Sequence, residues 1–193
     1  MVLFQNRYRV ESTRLEDWDY SSRGWYFVTL CTKDKKCSLG HAVDGEIVLS
    51  DAGVIAEIEM KTVSSHYSKV TIDRYVVMPN HVHAIVAIDG LHRYSPRLTA
   101  IGPTSVQIRP QRPAAPSLSA VIGSYKAGVS RTCRLRGLLY LQWQPRFHDH
   151  ILRSNAAVNA VREYIDHNPQ NWVEDPDNTE ATHAETRQAA SLL

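Results

Sequence analysis

Cysteine is scarce in this sequence: Cys31, Cys37 and Cys133 are the three present among 193 residues. An odd count cannot close into a complete disulfide set, and no CxxC spacing offers a thiolate metal site, so a reducing compartment is the simpler expectation. No apolar run approaches the roughly 18 residues needed to span a bilayer, and no apolar signal segment follows a basic start. The expectation is a soluble, cytoplasmic chain with no membrane partner. Net charge is also low, because 22 Lys and Arg against 20 Asp and Glu leave +2. That total gives no mandate for a polyanionic partner.

Acid is missing altogether from one long stretch. From Gly90 to His148 the chain carries nine basic residues, Arg93, Arg97, Arg109, Arg112, Lys126, Arg131, Arg134, Arg136 and Arg146, and no Asp or Glu. The remainder, with 13 basic and 20 acidic residues, is acidic. Such segregation either gathers a polyanion through phosphate contacts and counterion release or forms a solvated loop and helix surface. Arg109, Arg112, Lys126, Arg131, Arg134 and Arg146 are the candidate phosphate contacts.

What is present fits one domain. A hydrophobic content of 43% supports a core, and a chain of this length buries roughly two thirds of its extended surface. The domain is expected over 1–175, with an acidic, alanine-rich tail at 176–193. Residues 91–116 contain five prolines and little periodicity, which reads as a long basic surface loop.

Gly24 to Thr32, aromatic and β-branched, predicts the first core strand. Ser50-Asp51 caps a helix to about His66 with Ile55, Ile58 and Val63 among its apolar positions, a pattern that Gly53 weakens. Val70 to Met78 and His81 to Asp89 predict two strands around a Pro79-Asn80 turn. Ser117 to about Cys133 is helical through Leu118, Val121, Ile122, Tyr125 and Val129, with Lys126 and Arg131 toward solvent. Tyr140 to Trp143 reads as a short strand. Ser154 then caps a helix with a Val158, Val161, Ile165 stripe that Pro169 ends at Asn168. The order is that of an α+β fold: a split β-α-β unit with an antiparallel sheet, helices on one face and an added C-terminal helix.

Residues two apart on a strand share a face, so His81 and His83 can aim two imidazole nitrogens at one point. Alternatively they are two satisfied polar residues at a strand end. Tyr164 and Asn168, four apart on one helix, also share a face. Asn168 offers an amide oxygen that completes a metal shell directly or supports it through water. Tyr164 offers a phenol, which near its reference pKa of about 10 needs a base, a positive environment or a metal to become a nucleophile. Attack on a phosphodiester would give a 5′-phosphotyrosine and keep the bond energy for rejoining. Phe147-His148-Asp149-His150 adds further groups: Asp149 to orient a site residue and His150 to meet phosphate, or both to serve the fold. Tyr94, Tyr125 and Trp143 either stack bases or, for the last two, belong to the core.

Tyr75-Val-Val-Met-Pro-Asn-His-Val-His83, Trp143-Gln-Pro-Arg-Phe-His-Asp-His150 and Tyr164-Ile-Asp-His-Asn-Pro169 resemble, in this order, the signature segments of REP-associated tyrosine transposases, part of the single-tyrosine HUH transposase group. Leu118 to Lys126 is similar to their central helix, and the resemblance runs from about Asp19 to Asp175. It implies a ferredoxin-like HUH nuclease fold with a C-terminal catalytic helix. It also implies Mg2+ or Mn2+ as cofactor, and cleavage and rejoining of single-stranded DNA at repetitive extragenic palindromic or related hairpins, in association with chromosomal DNA. His81 and His83 match the metal histidines, Tyr164 the nucleophile, and Asn168 the polar position after it, which can be Gln in related small insertion-sequence transposases. The resemblance is compatible with a monomer and with a homodimer.

Overall fold

A computed structural model describes residues 18–89, 116–175 and 177–178. Strand β1, Gly24–Cys31, occupies the expected aromatic and β-branched run. A 3-10 turn at Lys33–Lys35 follows, then a hairpin of β2, Gly40–Val43, and β3, Glu46–Leu49. Asp44 and Gly45 turn it with φ of 50° and 79°, the left-handed pair that a two-residue hairpin turn demands. Four-residue arms carry too little periodicity to announce this hairpin in the sequence.

Helix α1, Asp51–His66, begins as expected, the Ser50 hydroxyl accepting the Gly53 N–H at 3.1 Å. Its buried side is Ala52, Ile55, Ala56, Met60 and Val63. Ile58, expected there, is 53% exposed, because it sits about 200° around the helix from both 56 and 60. Gly53 is a requirement rather than a weakness: a Cβ there would collide with the Leu39 carbonyl oxygen.

Strands β4, Val70–Val77, and β5, His81–Ile88, pair antiparallel around the Met78-Pro79-Asn80 turn. Val70 and Ile72 are out of phase with Tyr75 and Val77, yet all four pack on the same core. A register shift between Ile72 and Arg74 reconciles them, leaving Asp73 as the extra residue of a bulge. Helix α2, Leu118–Leu135, is capped by Ser117.

The strand expected at Tyr140 to Trp143 does not form; Trp143 makes an isolated bridge to Thr32. The last strand is β6, His148–Leu152. It lies at the sheet edge with its first and third side chains exposed, so it needs no apolar alternation, and polar His148-Asp149-His150 concealed it. Helix α3, Asn155–His167, is capped by Ser154 and gives way at Asn168, before Pro169.

The result is a mixed α/β fold around an antiparallel sheet of order β4-β5-β1-β6. Tyr26, Val28, Leu30, Val82, Ala84 and Val86 share one core with Ile55 and Met60 of α1 and with Val121 and Val129 of α2. Ile85 and Leu152 instead meet Val158 and Ile165 of α3. The expectation of helices on one face therefore holds for α1 and α2, while α3 covers the other face.

Candidate active site

Strand alternation sends Val82 into the α1–α2 core and turns His81 and His83 toward α3. Asn80, the last turn residue, fixes the first ring. Its amide nitrogen donates to the carbonyls of Lys35, at 3.1 Å, and Asp177, at 2.7 Å, so its oxygen is the atom that meets His81 Nδ1 at 2.8 Å. Nδ1 must then carry the hydrogen, which leaves the lone pair of His81 on Nε2. That Nε2 is buried without a hydrogen-bond partner. His83 Nδ1 meets the Thr29 hydroxyl of β1 at 3.0 Å, and the two imidazole centroids are 4.3 Å apart.

Burial holds the His81 pKa down at about 4. Burial, and then the neighbouring His81, pull His83 down to about 3. Both rings are therefore neutral at neutral pH, the form that binds metals.

Helix α3 brings the phenol. Besides its apolar stripe, Arg162 grips Asp73 through Nε at 2.7 Å and Nη2 at 2.6 Å, so the β4 bulge supplies the carboxylate that ties this helix to the sheet. Tyr164 then places its hydroxyl 3.3 Å from His83 Nε2, with Phe27 edge-on at 5.9 Å between centroids. The ring is 44% exposed. Burial, followed by the charges of Asp175 and Asp177, raises the phenol above its ordinary pKa.

One turn further, buried Asn168 donates through Nδ2 to Asp175 Oδ2 at 2.9 Å, while its Oδ1 has no hydrogen-bond partner. Asp175 arrives on the 3-10 turn Trp172–Glu174, anchored by buried Trp172. Its other oxygen accepts the Asp177 N–H at 2.7 Å, and the Asp177 carboxylate pairs with Lys35 at 2.7 Å. Ligand atoms of His81, His83 and Asp175 lie within 4.8 Å of one another. His81 Nε2 and Asn168 Oδ1 are both acceptors buried without a donor, an arrangement costly by itself and relieved by a cation. The donor set fits a divalent metal.

No protein-family model matches the chain. An uncharacterized protein of Haemophilus influenzae is 30% identical over 168 residues, which cover 85% of this chain and 90% of that one. The chain belongs to one family with that protein. A solved structure of the REP-associated tyrosine transposase bound to a REP hairpin matches with a TM-score of 0.52 and 19% identity, over 84% of this chain and 81% of the other. This chain shares the fold of that structure.

In this chain the other expected site residues scatter. Lys126, expected at solvent, donates to the carbonyls of Gln144, at 2.8 Å, and Arg146, at 2.9 Å, and burial lowers its pKa to about 8. It holds a loop rather than presenting its charge. Arg131 and Arg134 are exposed on α2, across the sheet from the histidines, and Arg146 is exposed at the entry to β6. Asp149 pairs with Val28, so alternation turns it away from Tyr164, whereas His150 pairs with Phe27 on the site face. Tyr125 is core, its hydroxyl donating to the Ala56 carbonyl at 3.1 Å, and half-buried Trp143 packs against the same core. Tyr94, Arg109, Arg112 and nearly all of the expected 91–116 loop lie outside the described residues, as do 179–193 of the tail. Asp175, Asn80, Lys35 and Asp177 were not singled out from the sequence; an acid seven residues past Asn168 was the one visible signal for the first.

Proposed function

We propose that this protein is a metal-dependent tyrosine DNA transposase that cleaves and rejoins single-stranded DNA at hairpins of the repetitive extragenic palindromic type. The observation that carries the reading is the Tyr164 hydroxyl 3.3 Å from His83 Nε2, beside the His81, His83 and Asp175 cluster. The strand order β4-β5-β1-β6, built from β-α-β-β-α-β segments, supports a ferredoxin-like HUH nuclease fold with α3 as the added catalytic helix. The related structure holds a REP hairpin, which supports the hairpin as substrate here. No helix of the described residues is long and apolar enough to cross a membrane; action on chromosomal DNA in the cytoplasm is part of the same proposal.

His81, His83 and Asp175 would hold the metal, Mg2+ or Mn2+, and the unpartnered Asn168 Oδ1 could join them. When bound, the cation would supply positive charge that polarises a phosphate and favours the phenolate. Asn80 keeps His81 in the tautomer with its Nε2 lone pair turned inward, and Asn168 Nδ2 orients Asp175. Tyr164 loses its proton to solvent on its open side and its oxygen bonds to phosphorus. The bond from phosphorus to O3′ breaks, and O3′ leaves with the electron pair and takes up a proton. Reversal by the same or another 3′ hydroxyl rejoins the strand and frees the tyrosine.

The test is covalent capture. Wild type and Tyr164→Phe are incubated with an end-labelled, flanked REP hairpin and Mg2+ or Mn2+, then denatured. Wild type should yield a slow, protease-sensitive protein–DNA species and Tyr164→Phe none, with hairpin binding retained. An adduct in Tyr164→Phe, or cleavage by wild type without any adduct, overturns the assignment.

A further inference from the structure

We propose that the single strand leaving the scissile phosphate runs over the β1–β6 half of the sheet, where Arg146, His148 and His150 receive it, and not over β4. This deepens the reading of Tyr164 as nucleophile and rests on it for the starting point of the path. Register fixes the geometry. Thr29 has His83 on one side and His148 on the other, and Phe27 has Ile85 on one side and His150 on the other. Alternation therefore places His148 and His150 on the face that bears His81, His83 and Tyr164. Phe27 bridges the two regions, its ring 5.1 Å from that of His83 and 5.9 Å from that of Tyr164. Among the described residues β6 is the outer strand on this side, and Arg146, His148 and His150 are exposed.

The arm that carries them is fixed before any ligand arrives. The Lys126 ammonium holds the carbonyls of Gln144 and Arg146. The Gln144 N–H donates to Cys31 at 3.0 Å, and the Lys33 N–H to Gln142 at 2.8 Å. The protein side of such a contact therefore adds little ordering cost. A guanidinium suits phosphate oxygens, and imidazoles can donate to phosphate or lie under a base.

The opposite side of the site offers a polyanion far less. Glu46, Glu57 and Asp166 line a cavity of about 510 Å³ beside β4. The cations close to it are already matched, Lys61 with Glu57 at 2.9 Å and Arg74 with Asp166 at 3.5 Å. Arg162, nearer the tyrosine, is committed to Asp73.

The test is equilibrium binding, which needs no chemistry. Full-length Tyr164→Phe protein, in EDTA, is titrated with fluorescent REP hairpins that are blunt or carry ten-nucleotide 5′ or 3′ single-stranded flanks. Adding Arg146→Gln, His148→Gln and His150→Gln should weaken a flanked hairpin roughly tenfold and leave the blunt one unchanged. The salt slope should fall by about one. Removing the responsible flank should cost the parent affinity but not the triple variant. Equal binding of flanked hairpins by both proteins, equal losses on flanked and blunt hairpins, or no binding of flanked hairpins by the parent each overturns the proposal. Tighter flanked binding in Glu46→Gln/Asp166→Asn, with the triple variant unchanged, would place the strand over β4. Failure of wild type to form an adduct bears on Tyr164 as nucleophile and leaves this comparison readable.

Discussion

The side-chain oxygen of Asn80 takes the Nδ1 hydrogen of His81 at 2.8 Å and thereby turns that ring's lone pair inward. A neighbour in sequence thus sits where the orienting partner of a metal-ligating histidine would be. The same amide also ties the Lys33–Lys35 turn and Asp177 to the site. Asn80→Ala should lower Mn2+ affinity roughly tenfold to hundredfold, measured by calorimetric titration, while the unloaded protein keeps its circular dichroism. Unchanged affinity would show that the His81 tautomer is set elsewhere.

On the proposed reading Asp175 is a metal ligand and Asn168 its support, and substitution separates the two roles. Asp175→Ala removes a charged oxygen and should reduce Mn2+ affinity more than about hundredfold. Asn168→Ala should cost about tenfold, through a misoriented carboxylate. The reverse ranking would make Asn168 the principal third ligand.

Acid should destabilise the metal-free protein through its two histidines. Their folded-state pKa values, about 4 and 3, lie below the ordinary 6.5, so the unfolded chain binds protons first as pH falls. Stability is complete above about 6.5 and declines toward 4, with a slope approaching two protons before carboxylates begin to titrate. Urea unfolding in EDTA from pH 7 to 4.5 reads this slope, and His83→Gln should lower it by about one proton. An unchanged slope in that variant would remove His83 as a cause.

The Arg162–Asp73 pair is surface-accessible, and its consequence lies in placement. Arg162→Met should leave DNA binding intact but lower the single-turnover cleavage rate roughly tenfold to hundredfold, because α3 sets the position of Tyr164. A loss confined to binding, with the cleavage rate of bound substrate preserved, would contradict this.

Gly53→Ala should destabilise by about 3 kcal/mol or more, since the added methyl collides with the Leu39 backbone and not with a movable side chain. Denaturant unfolding measures it, and a change below about 1 kcal/mol would mean that α1 can shift freely against that carbonyl.

Much of this was legible in the chain. Helix starts at Ser50, Ser117 and Ser154 follow from capping chemistry, and His81 and His83 share a face because strands have a period of two. Other features depend on tertiary context. Ile58 has the residue type of a core position but the wrong helical phase, and the β4 bulge is invisible until two out-of-phase pairs are seen to share a core. Strand β6 was hidden because an edge strand can be polar. Asp175 was missed because its role comes from a 3-10 turn that folds back on His81, a relationship that no periodicity encodes. Lys126 has the composition of a phosphate contact, and only its two carbonyl partners reveal a staple.

The segment bearing Asp175 is the last described part of the chain to be synthesised, emerging from the ribosome well after the sheet residues it completes. His81 and His83, on β5, can be flanked by β1 and β4 beforehand, but the carboxylate joins them only when the Trp172–Glu174 turn docks. Since domains form progressively during translation, and such distant contacts form slowly, assembly of the His81, His83 and Asp175 cluster is a late event. A nascent chain halted before Asp175 would present two neutral imidazoles and no carboxylate, a softer donor set than the finished protein's.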